Sequence, residues 1–341
     1  MAERSSSSTP GLRPALLAAK LRALVAAGWG PTGPDDVPGT FPGGAALRRD
    51  GSGWVLAEDE PARALGAALT WAGANGVDGE DLHVLAAGAA GLLARRAGLF
   101  RDPPSVWRIE GTALARAEPD PPVVPVPPPR DAEAFVPVLV AAGVEVVVEH
   151  GAVAGEVLGL EVARVVDDGS GARLEVGVGR HDRDAQRQLS GDDPAPAVLA
   201  SAVAAVRARR RPGAPSHPAN QLARERWLRA VVVGHPDLAG AARLAPVQPS
   251  LPAAGLRRAA PAAAAGVDAA GRPLVVVCSV GIDLDLVPAA ADARLSVDPA
   301  ARLVLVVPDG DAHPVTRRLA AGLVEPAELV TVPDGWEALG G

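Results

Sequence analysis

The chain has no tyrosine, one cysteine, one methionine and three phenylalanines in 341 residues. Lysine is as scarce: Lys20 is the only one, and arginine supplies the remaining positive charge. A single thiol, Cys278, excludes an intramolecular disulfide and any zinc centre built on several cysteines. It lies in the apolar run LVVVCSV, which predicts a buried, inert side chain. Aromatics at 3 % leave a core of small aliphatic residues with few large anchors. No apolar stretch reaches the roughly 18 residues that a membrane-spanning helix needs. The first 20 residues, MAERSSSSTPGLRPALLAAK, lack a secretory pattern, because an acid comes early and Lys20 and Arg22 break the apolar run. The expectation is a cytoplasmic protein without a membrane partner. Neither GxGxxG after a strand nor GxxxxGK[ST] occurs, which excludes P-loop nucleotide hydrolysis. There is no GxSxG nucleophile elbow either.

What is present is a globular composition, 48 % hydrophobic and 21 % charged, with a net charge of -7 that argues against a generally basic binder. Hydrophobic periodicity and turn residues predict an α/β protein in which two βαβ-type units flank a central αβββα unit containing an antiparallel strand pair. Residues 1–10 form a Ser-rich tail and 11–117 an N-terminal α/β unit. It opens with a helix over 11–27 whose buried face is Leu16, Leu21, Leu24 and Val25. A hairpin follows at 45–57, turning on DGSG. The proline-dense stretch at 118–130 is a linker. The central unit spans 131–235, with strands at 144–150, 156–166 and 172–180. An Ala/Pro-rich linker at 236–272 precedes a C-terminal α/β unit at 273–341. The segments 82–111 and 303–335 share a strand, helix, strand plan in which Arg95 and Arg96 match Arg317 and Arg318, the pattern of an internal repeat.

Chemistry concentrates at 149–184. If the second and third central strands pair odd with odd positions, Glu161 and Glu175 share one face, with Glu149 close enough to join them, while Glu156 points away. Converging carboxylates suit Mg²⁺ or Mn²⁺, which take hard oxygen ligands. Glu149, Glu161 and Glu175 are therefore candidate metal ligands, His181 a candidate general base and Arg180 a candidate phosphate contact. The αβββα order with acids on adjacent strands resembles the restriction-endonuclease-like nucleases in topology. That resemblance implies metal-dependent phosphodiester cleavage. The family's third strand ends in an acid-x-Lys pattern, whereas Glu175-Val176-Gly177 stands here. A lysine is missing, and arginine does not readily release a proton. A non-catalytic binding or interaction protein, whose acids and arginines pair with one another, is the favoured expectation. Asp283 and Asp285, after a buried strand and before a helix, are candidates for binding a cofactor such as a metal or ribose. The arginines from Arg207 to Arg229, with Trp227 among them, are a candidate nucleic-acid surface.

Overall fold

A computed structural model describes residues 12–340 except 168, 170, 191–195, 212, 216, 253–254 and 256–257. The protein is mixed α/β, and among the described residues no helix is long and apolar enough to cross a membrane. It divides into two compact units, one of residues 1–122 with 318–326, the other of 123–317 with 327–341. The passage at 122–123 falls inside the proline-dense stretch, which is irregular up to residue 129.

The first unit opens with α1 (Leu12–Trp29), followed by β1 (Val37–Phe41), β2 (Gly44–Arg49) and β3 (Ser52–Ala57) as an antiparallel meander. Then come α2 (Leu65–Ala74), β4 (Leu82–Ala86), α3 (Ala90–Ala97), β5 (Ser105–Glu110) and β6 (Ala113–Arg116). Helical crossovers make β3, β4 and β5 parallel, and a tight turn returns β6 antiparallel. Leu21, Leu24 and Val25 of α1 pack on Leu47, Trp54, Leu56 and Leu85. Leu16, expected on that face, is exposed instead, as is the whole segment 12–16.

The second unit holds two sheets. In the first, α4 (Arg130–Glu133) and α5 (Val136–Ala141) lead into β7 (Glu145–Glu149), β8 (Ala152–Val157), β9 (Leu160–Asp167) and β10 (Ala172–Val176), and then α6 (Gly179–Ser190) and α7 (Pro196–Arg209). The sheet is an antiparallel meander in the order β10-β9-β8-β7. It has four strands where the sequence led us to expect three. The segment 156–166, expected as one strand, turns back on itself at Leu158-Gly159, both at positive φ, as required for a two-residue hairpin. Leucine rarely occupies that conformation, so the turn is hidden from inspection. The α8 backbone packs so closely that a Cβ at Gly159 would overlap Arg226 and Trp227.

The other sheet follows α8 (Arg224–Gly234). Its strands are β11 (Arg243–Val247), β12 (Ala262–Val267) and β13 (Pro273–Cys278), all antiparallel. Next come α9 (Leu286–Val297), β14 (Arg302–Pro308), α10 (Pro314–Ala321) and β15 (Glu328–Val332), with β13, β14 and β15 parallel. The expected linker at 236–272 thus contributes two strands. Valines 231 and 232 are helical and buried in the core with Val276 and Val304. This sheet and that of the first unit share one strand sequence, three antiparallel strands and then two parallel ones. The arginines matched by sequence differ, however: Arg95 and Arg96 are buried against backbone carbonyls, and Arg317 and Arg318 are exposed.

Candidate functional site

The central meander has two unlike faces. Val153, Val157, Leu160, Ala163, Val165, Leu174 and Val176 pack with Leu139 of α5 and with Leu199, Val203 and Val206 of α7. The opposite face carries nearly all the charge. Glu145 pairs with Glu156 and Glu156 with Glu161, a row of three carboxylates across β7, β8 and β9. Next to it, Ala154 pairs with Arg164 and Arg164 with Glu175.

This arrangement corrects the expected register. Strands β9 and β10 pair odd with even, so Glu175 lies opposite Arg164 rather than sharing parity with Glu161. A β-bulge restores the convergence. Gly155 pairs with Ala163 and Glu156 with Glu161, so Val162 is the extra residue on β9. Beyond the bulge the side-chain parity inverts, which brings Glu161 onto the face of Arg164 and Glu175. The same register places Glu156 beside Glu161, not away from it.

Like charges in a row on a sheet repel, and arginines from three elements neutralise them. From α8, Arg226 and Arg229 sit one turn apart on one side of the helix. Arg226 donates to Glu149 and Glu156. Arg229 donates to the other oxygens of the same two residues, at 2.8 and 2.7 Å. Each carboxylate bridges both guanidiniums, and the ring of four is closed. Arg229 and Glu156 have fully buried side chains. Burial, outweighing the two guanidiniums, pushes the Glu156 carboxyl up, and burial likewise raises neighbouring Glu145. For Arg229, burial acts downward but the charges of Glu156 and Glu149 outweigh it and hold the guanidinium protonated.

A second assembly lies beside the first. Arg164 grips Glu161 through two bonds, Nε at 3.0 Å and Nη2 at 2.5 Å. Arg183, from α6, adds a third at 2.6 Å to Glu161 and reaches Glu175 at 3.7 Å. Arg173 donates to Glu175 at 3.1 Å. Burial acts to raise the Glu161 carboxyl, but the hydrogen bonds and charge of Arg164, with the charge of Arg183, overcome it and hold it below the usual range. Glu149, Glu161 and Glu175 are thus all engaged by guanidinium, and among the described residues no group of three or more histidines, cysteines or acids is placed to hold a metal ion. The side chains of Arg180 and His181 lie outside the described residues.

Between α6, α8 and the charged sheet face lies an open cleft of about 1240 Å³. Its floor includes Glu149, Glu161, Arg164, Arg183 and Arg226, and its walls are chiefly Ala, Val, Leu and Pro. His150, in the β7–β8 turn at φ 50, lines the cleft with Nε2 buried and without a hydrogen-bond partner among the described residues. Burial lowers its pKa, so the ring stays neutral in the fold. Nε of Arg183 is likewise buried; it makes no hydrogen bond and faces Glu175 at 3.7 Å.

Arg210 holds the cleft wall. It is 1 % exposed and donates to the carbonyls of Leu158 at 2.5 Å, Ala219 at 3.1 Å and Leu222, with its guanidinium over the Trp227 ring at 4.5 Å. Burial depresses its pKa to about 10. Of the arginines expected to form a basic surface, Arg210, Arg226 and Arg229 therefore point inward, and Arg224 pairs with Glu337 at 2.6 Å. Arg207, Arg209 and Arg211 remain exposed. In the last sheet, Asp283 Oδ1 accepts the backbone N–H of Asp285, which is itself buried, and Asp285 makes no side-chain cap to α9. Cys278 is buried, its pKa pushed up to about 12.

Sequence inspection named Glu161, Glu175 and Glu149 but assigned no role to Glu156, Arg226, Arg229, Arg183 or His150 in this assembly. The i, i+3 spacing of Arg226 and Arg229 facing two strand-end glutamates was the available signal. No protein-family model, curated protein or solved structure matches the chain.

Proposed function

We propose that the chain is a non-catalytic binding protein and that the cleft on the central sheet holds its ligand. One observation carries the reading: an open cleft with chiefly apolar walls has arginines on its floor, among them Arg164, whose side chain is 35 % exposed and whose Nη1 has no partner among the described residues. Apolar walls around a few convergent polar groups are the usual form of a ligand pocket. The carboxylates serve here as anchors for arginines, which fits recognition better than metal-assisted hydrolysis.

The test uses full-length protein selectively ¹³C-labelled in histidine, titrated with a library of small fragments. Saturable shifts of the His150 and His217 signals, with the fragments recovered unchanged, are expected. No such shift from any fragment, together with a Mg²⁺- or Mn²⁺-induced rise in melting temperature that Glu175→Ala abolishes, would replace the reading with metal-dependent phosphodiester chemistry through Glu149, Glu161 and Glu175.

A further inference from the structure

We infer that the cleft selects a small organic anion, a carboxylate or phosphate monoester, with its head on Arg164 and Arg183 and its apolar body against Ala152 and Leu222. This rests on the cleft being a binding site and adds the chemical class of what it binds.

The charge pairing of the floor and its unspent donors set the sign. Both oxygens of Glu149 are engaged, one by Arg226 and one by Arg229. Both oxygens of Glu161 are engaged too, by Arg164 and Arg183. Each carboxylate keeps acceptor capacity but already faces two guanidiniums, so a cationic ligand would bring positive charge to a group whose charge is paired. Donors, by contrast, remain. A guanidinium has five N–H groups. Arg164 spends those on Nε and Nη2, leaving Nη1 without a partner among the described residues. Arg183 spends Nη1 on Glu161, and its buried Nε faces Glu175 at 3.7 Å, which leaves Nη2. His217 accepts the Ala219 N–H on Nδ1, so its neutral ring carries the proton on Nε2, a further donor at the cleft.

Exposure points the same way. The Arg164, Arg226 and Arg183 side chains are 35 %, 18 % and 13 % exposed, against 9 % for Glu149 and 8 % for Glu161. A ligand therefore meets guanidinium before carboxylate. Arg258 and Glu225 add one lining charge of each sign, but Glu225 is buried and Arg258 exposed. Two helices also begin at the cleft, α6 at Gly179 and α8 after Ala223. The α8 terminus has no side-chain cap. First-turn N–H groups and the helix dipole favour negative charge there.

Four probes with one phenyl body test this: benzoate, phenyl phosphate, neutral benzamide and cationic benzamidine, at matched ionic strength, with dissociation constants read from the His150 and His217 signals. Benzoate or phenyl phosphate is expected to bind at least tenfold tighter than benzamide, and which of the two is tighter distinguishes carboxylate from phosphate. Arg164→Gln is expected to remove the preference and Arg164→Lys to retain part of it. If Arg164→Gln loses its melting transition, Arg183→Gln takes its place. Benzamide or benzamidine binding as tightly as the anions, with the histidine shifts present, overturns the anion inference and leaves the binding site standing. No probe shifting either histidine overturns both.

Discussion

Two arginine–carboxylate assemblies occupy one face of one sheet, use the same chemistry, and end in different states. The inner one, Glu149, Glu156, Arg226 and Arg229, is closed: each guanidinium bridges both carboxylates and two of the four side chains are wholly buried. The outer one, around Glu161, Arg164 and Arg183, leaves donors unspent beside open solvent. Burial explains the divergence. A buried charge must meet its counter-charge within the protein, as Arg229 meets Glu149 and Glu156 although its Nε has no hydrogen-bond partner among the described residues, whereas a charge at a cleft wall can leave donors to water or a ligand. The inner ring fastens α8 to the sheet, and the outer one presents guanidinium to the cleft.

The comparison can be broken by substitution, with effects that should fall from inside to outside. Arg229→Met takes one of two guanidiniums from two buried carboxylates, leaving Arg226 alone with both, and should cost about 3 kcal/mol in urea unfolding. A loss under about 1 kcal/mol would mean that the inner ring is not a fastener. Arg210→Met, which leaves the carbonyls of Leu158, Ala219 and Leu222 without their donor, should cost about 3 kcal/mol and shift the histidine signals of the cleft. Gly159→Ala combines an unfavourable backbone conformation with overlap on α8, and a loss of about 2 kcal/mol or more is expected in the same assay. Glu161→Gln should be mildest, about 1 kcal/mol, because Arg164 keeps access to water.

Acid titration sharpens the same contrast. Glu161 is held below its ordinary value of 4.5, so its pairing stabilises the fold above that pH and the contribution is lost as pH falls through the depressed folded value. Glu145 is raised by burial, so the folded state holds its proton more tightly and stability declines as pH rises from 4.5 through the raised value. Stability curves measured against pH should have a shallower acid limb below 4.5 in Glu161→Gln, and a smaller decline above 4.5 in Glu145→Gln, where Glu156 still contributes to it. Superimposable wild-type and variant curves would contradict both assignments.

Much of the local structure was legible. The hairpin at DGSG, α2, β4, α3 and β5 follow from turn residues and from periods of 3.6 and 2 in the chain. The central sheet was misread at two places. Leu158 occupies a conformation that its residue type gives no reason to expect, so the β8–β9 turn looked like continuous strand. The bulge at Val162 left no mark in the composition either, although it inverts the facing of Glu161. Residues 243–247 and 262–267 are rich in Ala and Pro and weak in pattern; 262–267 becomes a strand by pairing with β13, and 243–247 by pairing in turn with 262–267.

The sequence by itself determined the materials: a chain nearly without lysine, aromatics and thiols, an aliphatic α/β core, and acids and arginines gathered between 145 and 229. That much follows because propensity, turn chemistry and charge are properties of neighbouring residues. Only the tertiary structure decided which carboxylate meets which guanidinium. Arg226 and Glu149 lie 77 residues apart, and their pairing depends on strand register, one extra residue in β9 and the close seating of α8 on Gly159. Shifting a strand by one residue reverses every side chain on it, so the sheet register separates the spent carboxylates from the donors left at the cleft.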